Sequence, residues 1–265
     1  MTEIQPAIWK RFSKKQSLER YGIEFVLLLI FIWATQSVDI YWPFVTDAPA
    51  QAVDLLHRMT PPSVVFIKAI IPSMIETINI ATLSTIFAVI LSFPLAILNA
   101  RNTTPHPIVQ MVARVIIVTS RSVNELVWGL IFVVFFGPGV VAGVAALTMR
   151  SLGFMAKLVS ESIEEIDHGQ VEAMRATGAN GAKVFIFGVL PQVMPIIIGT
   201  SIFRWDINIR QSSVIGLVGA GGIGILLTSS MNMFKWQNVS MILISIFVVV
   251  LAGEYVSATV RKKLT

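Results

Sequence analysis

The chain has 265 residues, of which 55% are hydrophobic and 13% charged, and its mean hydropathy is +0.77. Because soluble domains usually carry about 25% charged residues, this composition excludes a soluble protein and indicates an integral membrane protein. The chain has no cysteine, which excludes disulfides and thiolate sites, and its three histidines are too scattered to predict a metal site. The net charge of +5 does not form a patch with interleaved aromatic residues, so nucleic acid is not an expected partner.

The apolar runs predict about six transmembrane helices. They are long and continuous, which is typical of an all-α membrane protein and not of the alternating strands of a barrel. Residues 1–72 hold a basic tail, a first helix at 23–37 and a proline-containing loop, whose amphipathic middle we expect at the membrane interface. Residues 73–258 hold the remaining helices and residues 259–265 a second tail; the helices are predicted at 73–97, 108–136, 140–160, 184–203 and 238–258.

The basic residues predict the orientation of these spans. Six alternating crossings place the two tails and the loops at 99–107 and 161–183 on one side of the membrane. The N-terminal tail carries five basic residues, the C-terminal tail three, and the two loops one and two. The positive-inside rule therefore makes that side cytoplasmic, with both termini in the cytoplasm.

Residues 161–183 form the longest polar interruption in the second half of the chain. Asp167 is a good N-cap for a short helix, and Gln170 lies where a capping box places its reciprocal acceptor. Gly178 supplies the permissive backbone that ends a helix. The residues alone favour a cytoplasmic loop helix followed by a return into the membrane.

The stretch from Glu172 to Pro191 resembles the EAA loop of the permease subunits of bacterial ATP-binding-cassette (ABC) importers. That loop reads Glu-Ala-Ala, three residues, Gly, nine residues, Ile, any residue, Leu-Pro. The matching positions are Glu172, Ala173, Gly178, Leu190 and Pro191, whereas Met174 replaces the second Ala and Gly188 replaces the Ile. Residues 175–180, 188–192 and 218–224 are similar to the phosphonate/phosphite branch of these permeases.

The resemblance implies the transmembrane domain of a type I ABC importer in the bacterial inner membrane. It implies a coupling helix within 161–183 that docks on an ATPase subunit, with the contact residues Gln170, Glu172, Ala173, Met174, Arg175, Gly178 and Ala179. Its implied partners are a second permease copy, two ATPase subunits that bind ATP and Mg, an extracytoplasmic binding protein and membrane lipid. The expected function is import of a small phosphorus oxyanion (phosphonate, phosphite or hypophosphite), and a permease of the same fold for methionine or another small solute is the open alternative.

Charged and amide residues interrupt the apolar segments, where each charge costs on the order of 3 kcal/mol if it faces lipid. Arg121 and Glu125, four residues apart, are expected to pair on one helix face, and Glu125 is also a candidate partner for Arg150. The stretch from Arg204 to Arg210 is either an interfacial hairpin with snorkelling arginines or part of a path for an anion. The candidate pathway residues are Arg121, Asn124, Glu125, Arg150, Arg204, Asn208 and Arg210.

Glycines 219, 221, 222 and 224 are expected to allow close helix packing or to form a gate. Their spacing matches a dinucleotide fingerprint, but the flanking strand and the acidic residue that such a site needs are missing. The sequence has no P-loop, so we expect ATP to bind partner chains and no cofactor to bind this one. An intramembrane enzyme is the competing interpretation, but no nucleophile and base stand at a recognisable spacing.

Overall fold

The computed structural model describes residues 14–38 and 41–264 and divides the chain into two compact units, with the boundary between Asp54 and Leu55. The first unit contains helix α1 (Lys14–Ser37), which carries the apolar run predicted at 23–37. Helix α2 (Trp42–Met59) begins in this unit and occupies the middle of the predicted loop. The helical form of that segment is as expected, and its place at the membrane interface stays a prediction.

The second unit is built from helices joined by short turns. They are α3 (Ile67–Asn99), α4 (Pro107–Ser122), α5 (Glu125–Phe136), α6 (Val140–Glu164), α7 (His168–Ala176), α8 (Gly181–Val184), α9 (Leu190–Ile215), α10 (Ile223–Asn232) and α11 (Trp236–Leu264). Within the described ranges, four helical segments are long and apolar enough to cross a membrane, and the number rises to six if each bent pair, α1 with α2 and α4 with α5, counts as one span.

Contacts between the long helices give their directions. Thr148 of α6 donates to the Ser84 carbonyl of α3 at 3.4 Å, and Asn99 at the end of α3 donates to Ser160 at 2.8 Å, so α3 and α6 run parallel. Helices α4 and α5 must therefore carry the chain back between them. Helix α9 runs opposite to α3 and α6, since Gln192 at its start contacts Asp167 whereas Asn208 contacts Ser151.

The third predicted helix, at 108–136, is broken in the structure. Helix α4 ends at Ser122, α5 starts at Glu125, and the two axes are bent by 99°. Asn124 starts α5 as its N-cap, with its Oδ1 accepting from the Leu126 amide at 2.9 Å. The predicted pairing of Arg121 with Glu125 on one helix face was therefore wrong, because the two residues belong to different helices.

Of the two alternatives for residues 204–210, the structure contradicts the interfacial hairpin. These residues lie inside α9, which continues to Ile215 without a break. Pro191 lies in the first turn of α9, where its missing N–H has no helical partner to lose, and α9 continues through Pro195. A π-helical turn at Phe185–Val189 joins α8 to α9. The polar side chains of 204–210 thus lie within a helical segment that is long and apolar enough to cross a membrane.

Candidate functional site

Helix α7 lies across the end of the helical bundle where α3 and α6 finish and α9 begins. Its N-cap is Asp167, whose Oδ1 accepts from the Gly169 amide at 2.8 Å, as the sequence predicts. The helix ends before Gly178, which has φ +75° and donates from its amide to the Arg175 carbonyl at 2.9 Å. Val171 on the inner face is buried in an apolar cluster with Ile163 and other residues of α3, α6 and α9.

The predicted capping box with Gln170 is wrong, because another glutamine takes its place. The Asp167 amide donates to Oε1 of Gln192 at 2.9 Å. Nε2 of Gln192 in turn donates to the carbonyls of Asp167 at 3.3 Å and Gly188 at 2.6 Å. One side chain of α9 therefore holds the start of α7 and the π turn together, and we call these three hydrogen bonds the Gln192 link.

The two departures from the EAA pattern meet in space. A β-carbon at Gly188 would lie 3.4 Å from Cα of Val171 and 3.6 Å from Cγ of Met174. A β-carbon would make only ordinary van der Waals contacts there, so the two positions are packing neighbours between α7 and the π turn. The exposed side chains of α7 are those of Gln170, Glu172, Ala173 and Arg175, and we call them the coupling surface. Gly178 is exposed beyond its end, and Met174 and Ala179 are half-buried.

A set of buried and half-buried polar side chains connects α3, α5, α6 and α9. Arg204 of α9 is 4% exposed, and its Nε donates to Ser151 of α6 at 2.8 Å. Its Nη2 donates to Gln211 at 3.1 Å, and Gln211 donates to Oε1 of Glu125 at 3.1 Å. The other carboxylate oxygen of Glu125 lies 3.5 Å from Nε of Arg150, which is the pair that the sequence suggests.

Asn208 extends this set to α3. It is fully buried, accepts from Ser151 at 3.1 Å and donates to Thr85 at 2.9 Å and to Ser84 at 3.5 Å. We call the connected side chains the polar network. Its members are Ser84, Thr85, Glu125, Arg150, Ser151, Arg204, Asn208 and Gln211. Two guanidinium groups and one carboxylate leave it with one excess positive charge.

The other candidate pathway residues have different roles in the structure. Arg121 contributes its backbone carbonyl, which accepts from Nη1 of Arg150 at 2.6 Å, while its side chain is exposed. Asn124 is the N-cap of α5. Arg210 pairs with Asp206 one turn earlier on α9, and its side chain is 49% exposed against 6% for that of Asp206.

Residues 216–224, which we call the glycine segment, connect α9 to α10. Backbone amides of this segment also contact side chains of α3. The Gly222 amide donates to Oε1 of Glu76 at 3.0 Å, and the Ile223 amide donates to Thr77 at 2.8 Å, so α3 caps the N-terminus of α10. Gly219, Gly221 and Gly222 have φ between +72° and +89°. Gly224 lies against Gly216 so closely that a β-carbon would meet its Cα at 2.6 Å. This close approach is a packing arrangement that glycine permits.

Sequence reasoning missed Ser151, Gln192 and Gln211, each of which makes hydrogen bonds to another element. A signal was available for Gln211, because it follows Arg204 by seven residues and therefore shares its helix face. Polar residues within an apolar helix, such as Ser84 and Thr85, carry a similar signal. Gln192 gives no such signal, since its partners are backbone groups of a distant turn.

Comparison with known proteins matches residues 92–256 to the family described as binding-protein-dependent transport system inner membrane component. The chain is 38% identical over 247 residues to the phosphite transport system permease protein PtxC of Stutzerimonas stutzeri, which covers 93% of this chain and 89% of that protein. It is 37% identical over 238 residues to the phosphate-import permease protein PhnE of Mycolicibacterium smegmatis. That match covers 89% of this chain but only 42% of the longer relative.

Solved structures share the fold. The inward-facing MetNI methionine ABC transporter aligns with 77% of this chain and 99% of the compared chain, with a TM-score of 0.66 and 20% identity. An amino acid ABC transporter crystallised with histidines aligns with 76% of this chain and 96% of its own, with a TM-score of 0.61 and 21% identity. Helix α7 closes one end of a bundle that holds a charged network. Because the family model matches residues 92–256 and the match to PtxC covers 89% of that protein, the chain belongs to the family of binding-protein-dependent transport system inner membrane components.

Proposed function

We propose that this chain is the membrane-spanning subunit through which an ABC importer moves a small phosphorus oxyanion into the cytoplasm. The candidate solutes are phosphonate, phosphite and hypophosphite. ATP is hydrolysed by separate subunits that contact the coupling surface, and a binding protein delivers the solute from outside. A second copy of the chain completes the path, and both termini lie in the cytoplasm.

The observation that carries this proposal is the polar network. It lies at membrane depth among helices that are otherwise apolar, where unneeded charge is costly. Its excess positive charge attracts an oxyanion, and guanidinium groups bind such anions through paired N–H donors. Glu125 and Gln211 already occupy several of these donors, so the attraction is weak. Weak binding suits conduction, because the solute must leave as well as enter.

Helix α9 supplies the connection between ATP hydrolysis and this network. Gln192 near its start holds α7, and Arg204 lies twelve residues later on the same helix. At 1.5 Å per residue the separation is about 18 Å. A displacement of α7 therefore moves α9. Because the hydrogen bond from Gln211 to Glu125 links α9 to α5, a movement of α9 changes this bond. This mechanism couples the cytoplasmic surface to the path without a separate signalling element.

The names of the relatives support the solute class. PtxC and PhnE are named for phosphite and phosphate transport. A relative named as a cryptic phosphonate transport permease, PhnE2 of Escherichia coli, is 42% identical over 117 residues. The probable D-methionine permease MetI of Pasteurella multocida is 29% identical over 163 residues, or 57% of this chain. Similarity is thus greater, and extends further, towards the phosphorus oxyanion permeases, so we place methionine second.

The experiment is uptake into proteoliposomes that contain the chain and its cognate ATPase. Labelled phosphite, methylphosphonate and methionine are added separately with the cognate binding protein, and ATP is supplied on the ATPase side. We expect ATP-dependent accumulation of a phosphorus oxyanion and none of methionine. Methionine uptake alone would replace the proposed solute, and substrate turnover by the chain without its partners would favour the intramembrane enzyme.

The variant Glu172→Arg tests docking at the coupling surface in the same assay. Glu172 is exposed and outside the apolar cluster, so the fold should be unaffected. Reversing one charge in a docked surface costs several kcal/mol, so uptake should fall by about tenfold or more. Glu19→Arg in α1 reverses an exposed charge elsewhere and should leave uptake unchanged. Wild-type uptake by Glu172→Arg would count against docking at this face.

A further inference from the structure

A second cationic site lies between α4 and α6, closer to the cytoplasmic end of the bundle than the polar network. It is a cavity of about 360 Å³, which we call the α4–α6 cavity. Four basic side chains reach it from three parts of the chain: Arg101 from the turn after α3, Arg114 and Arg121 from α4, and Lys157 from α6. A cavity of this size accommodates a small oxyanion together with water.

Acidic residues neutralise only part of this charge. Glu161 pairs with Lys157 at 2.7 Å. Glu164 accepts from the backbone amide of Arg101 at 2.8 Å. Within residues 14–38 and 41–264, no carboxylate lies within ion-pair distance of the Arg114 or Arg121 guanidinium. Four cations and two carboxylates leave two excess positive charges, which is more than the polar network carries.

The wall of the cavity also contains an unsatisfied polar atom. Asn99 is 6% exposed, and its Nδ2 donates to Ser160 at 2.8 Å. Its Oδ1 is buried and has no hydrogen-bond partner among the residues described. A buried acceptor without a partner is costly unless a water or a ligand hydroxyl donates to it. The cavity therefore offers donors for an anion, and its wall contains one buried acceptor without a partner.

The cavity meets the polar network at its inner end. Arg114 and Arg121 are seven residues apart on one face of α4, about 10 Å along its axis. Arg121 then touches the network through its carbonyl, which accepts from Arg150 at 2.6 Å. Helix α6 passes α4 so closely at this point that a β-carbon on Gly153 would lie 2.7 Å from the Ile117 carbonyl oxygen. The basic residues thus continue the charge of the network towards the cytoplasm.

We propose that the α4–α6 cavity is a second oxyanion site, in series with the polar network, which holds the phosphorus oxyanion before it enters the cytoplasm. The exposed position of its arginines makes the site weak, as release requires. That the bound anion is the transported solute rests on the proposed function, whereas binding of a tetrahedral oxyanion does not. The phosphate of an anionic lipid headgroup has the same chemistry and is the other possible source.

Binding is measured with the purified chain in phosphatidylcholine nanodiscs, by the broadening of the ³¹P signals of phosphite and inorganic phosphate. The test variant is the double substitution Arg114→Gln, Arg121→Gln. The control is Lys68→Gln, Lys235→Gln, which removes two exposed charges outside the cavity. We expect the test variant to weaken binding at least about tenfold, since it removes two charged donors, and the control to bind as wild type does.

Each outcome separates the alternatives. Equal binding by the test variant and wild type, or no binding by wild type, overturns the proposal, provided that both unfold at the same temperature. Adding phosphatidylglycerol to the discs tests the lipid source: unchanged phosphite binding supports a solute site, and abolished binding shows that a headgroup occupies the cavity and overturns the transit role. If phosphate binds in the cavity but proteoliposomes accumulate no phosphorus oxyanion, the proposed function fails and the anion site stands.

Discussion

Glu125 lies between arginines that come from different helices. One of its oxygens lies 3.5 Å from Arg150 of α6, and the other accepts from Gln211, which also holds Arg204 of α9. Because it starts α5, Glu125 is also next to the positive end of a helix dipole. A single carboxylate thus joins α5, α6 and α9. Displacement of Glu125 would therefore disturb contacts to α6 and α9 at once.

Asp206 and Arg210 form a second charge pair, in which only the carboxylate is buried, and its charge balance can be tested. The variant Arg210→Ala leaves the Asp206 carboxylate, which is 6% exposed in its side chain, without its partner. Because Arg210 is half exposed, we expect a loss of about 1–3 kcal/mol in stability, less than for a fully buried pair. The midpoint of thermal unfolding in detergent measures this loss.

The double variant Asp206→Asn, Arg210→Gln is the matched control for this pair. It removes both charges and retains groups that hydrogen-bond, so most of the stability lost in Arg210→Ala should return. Equal destabilisation of the single and double variants would show that packing by the Arg210 stem, and not charge balance with Asp206, is what matters.

The turn that connects α9 to α10 requires glycine at position 221. Gly221 has φ +88°, and a β-carbon there would lie 3.0 Å from both Cδ1 of Ile80 and the backbone nitrogen of Val140. Gly221→Leu combines backbone strain of about 1–2 kcal/mol with overpacking of about 1–3 kcal/mol. We expect a lower unfolding temperature and less protein in the membrane fraction, both measured beside wild type.

Gly199 provides the comparison for this substitution. It lies within α9, and no other atom lies within 4 Å of the position where its β-carbon would be. Gly199→Leu should therefore leave stability unchanged or raise it slightly, because leucine is the better helix former. A loss in Gly199→Leu as large as that in Gly221→Leu would contradict the packing explanation.

The sequence predicted some elements closely and failed at others for identifiable reasons. The α7 start and end were predictable because Asp167 and Gly178 act locally, through their own backbone neighbours. The break before Asn124 was missed because apolar residues continue on both sides of it, although an asparagine followed by an acidic residue is a helix-start signal. The polar residues of α9 were misplaced because their burial depends on Ser151 and Ser84, which the sequence does not place beside them.

At the scale of the whole second unit, α9 joins the α7 end of the bundle to the polar network by side-chain hydrogen bonds, alongside α3 and α6, which also reach both places. Its first turn holds α7 through Gln192, and its middle holds the polar network through Arg204 and Asn208. The apolar cluster at the α7 end, which includes Val193 and Ile197, makes this first turn part of the packed bundle. Motion at the coupling surface and motion at the network are therefore expected to be correlated.

Gln192→Ala tests this connection directly. It removes the three hydrogen bonds of the Gln192 link and leaves the Asp167 amide without its acceptor, which costs about 1–3 kcal/mol locally. We expect faster hydrogen exchange at the α7 amides and fewer solute molecules moved per ATP, with little change in the exchange of α11. Gln192→Glu keeps an acceptor for the Asp167 amide. Its exchange rate in α7 and its solute moved per ATP should therefore lie between those of wild type and Gln192→Ala. Unchanged exchange in α7 would contradict a holding role for Gln192.

The number of residues between Gln192 and Arg204 in α9 is also fixed by the contacts at both ends. One residue inserted between Gln192 and Arg204 would turn the remainder of α9 by about 100° about its axis, and Arg204, Asn208 and Gln211 would then point away from their partners on α3, α5 and α6. The same insertion before Gln192 falls in the π turn at Phe185–Val189, a wide turn of the kind by which a helix accommodates an extra residue. We therefore expect changes in chain length to be tolerated on the α7 side of Gln192 and to disrupt the polar network on its other side.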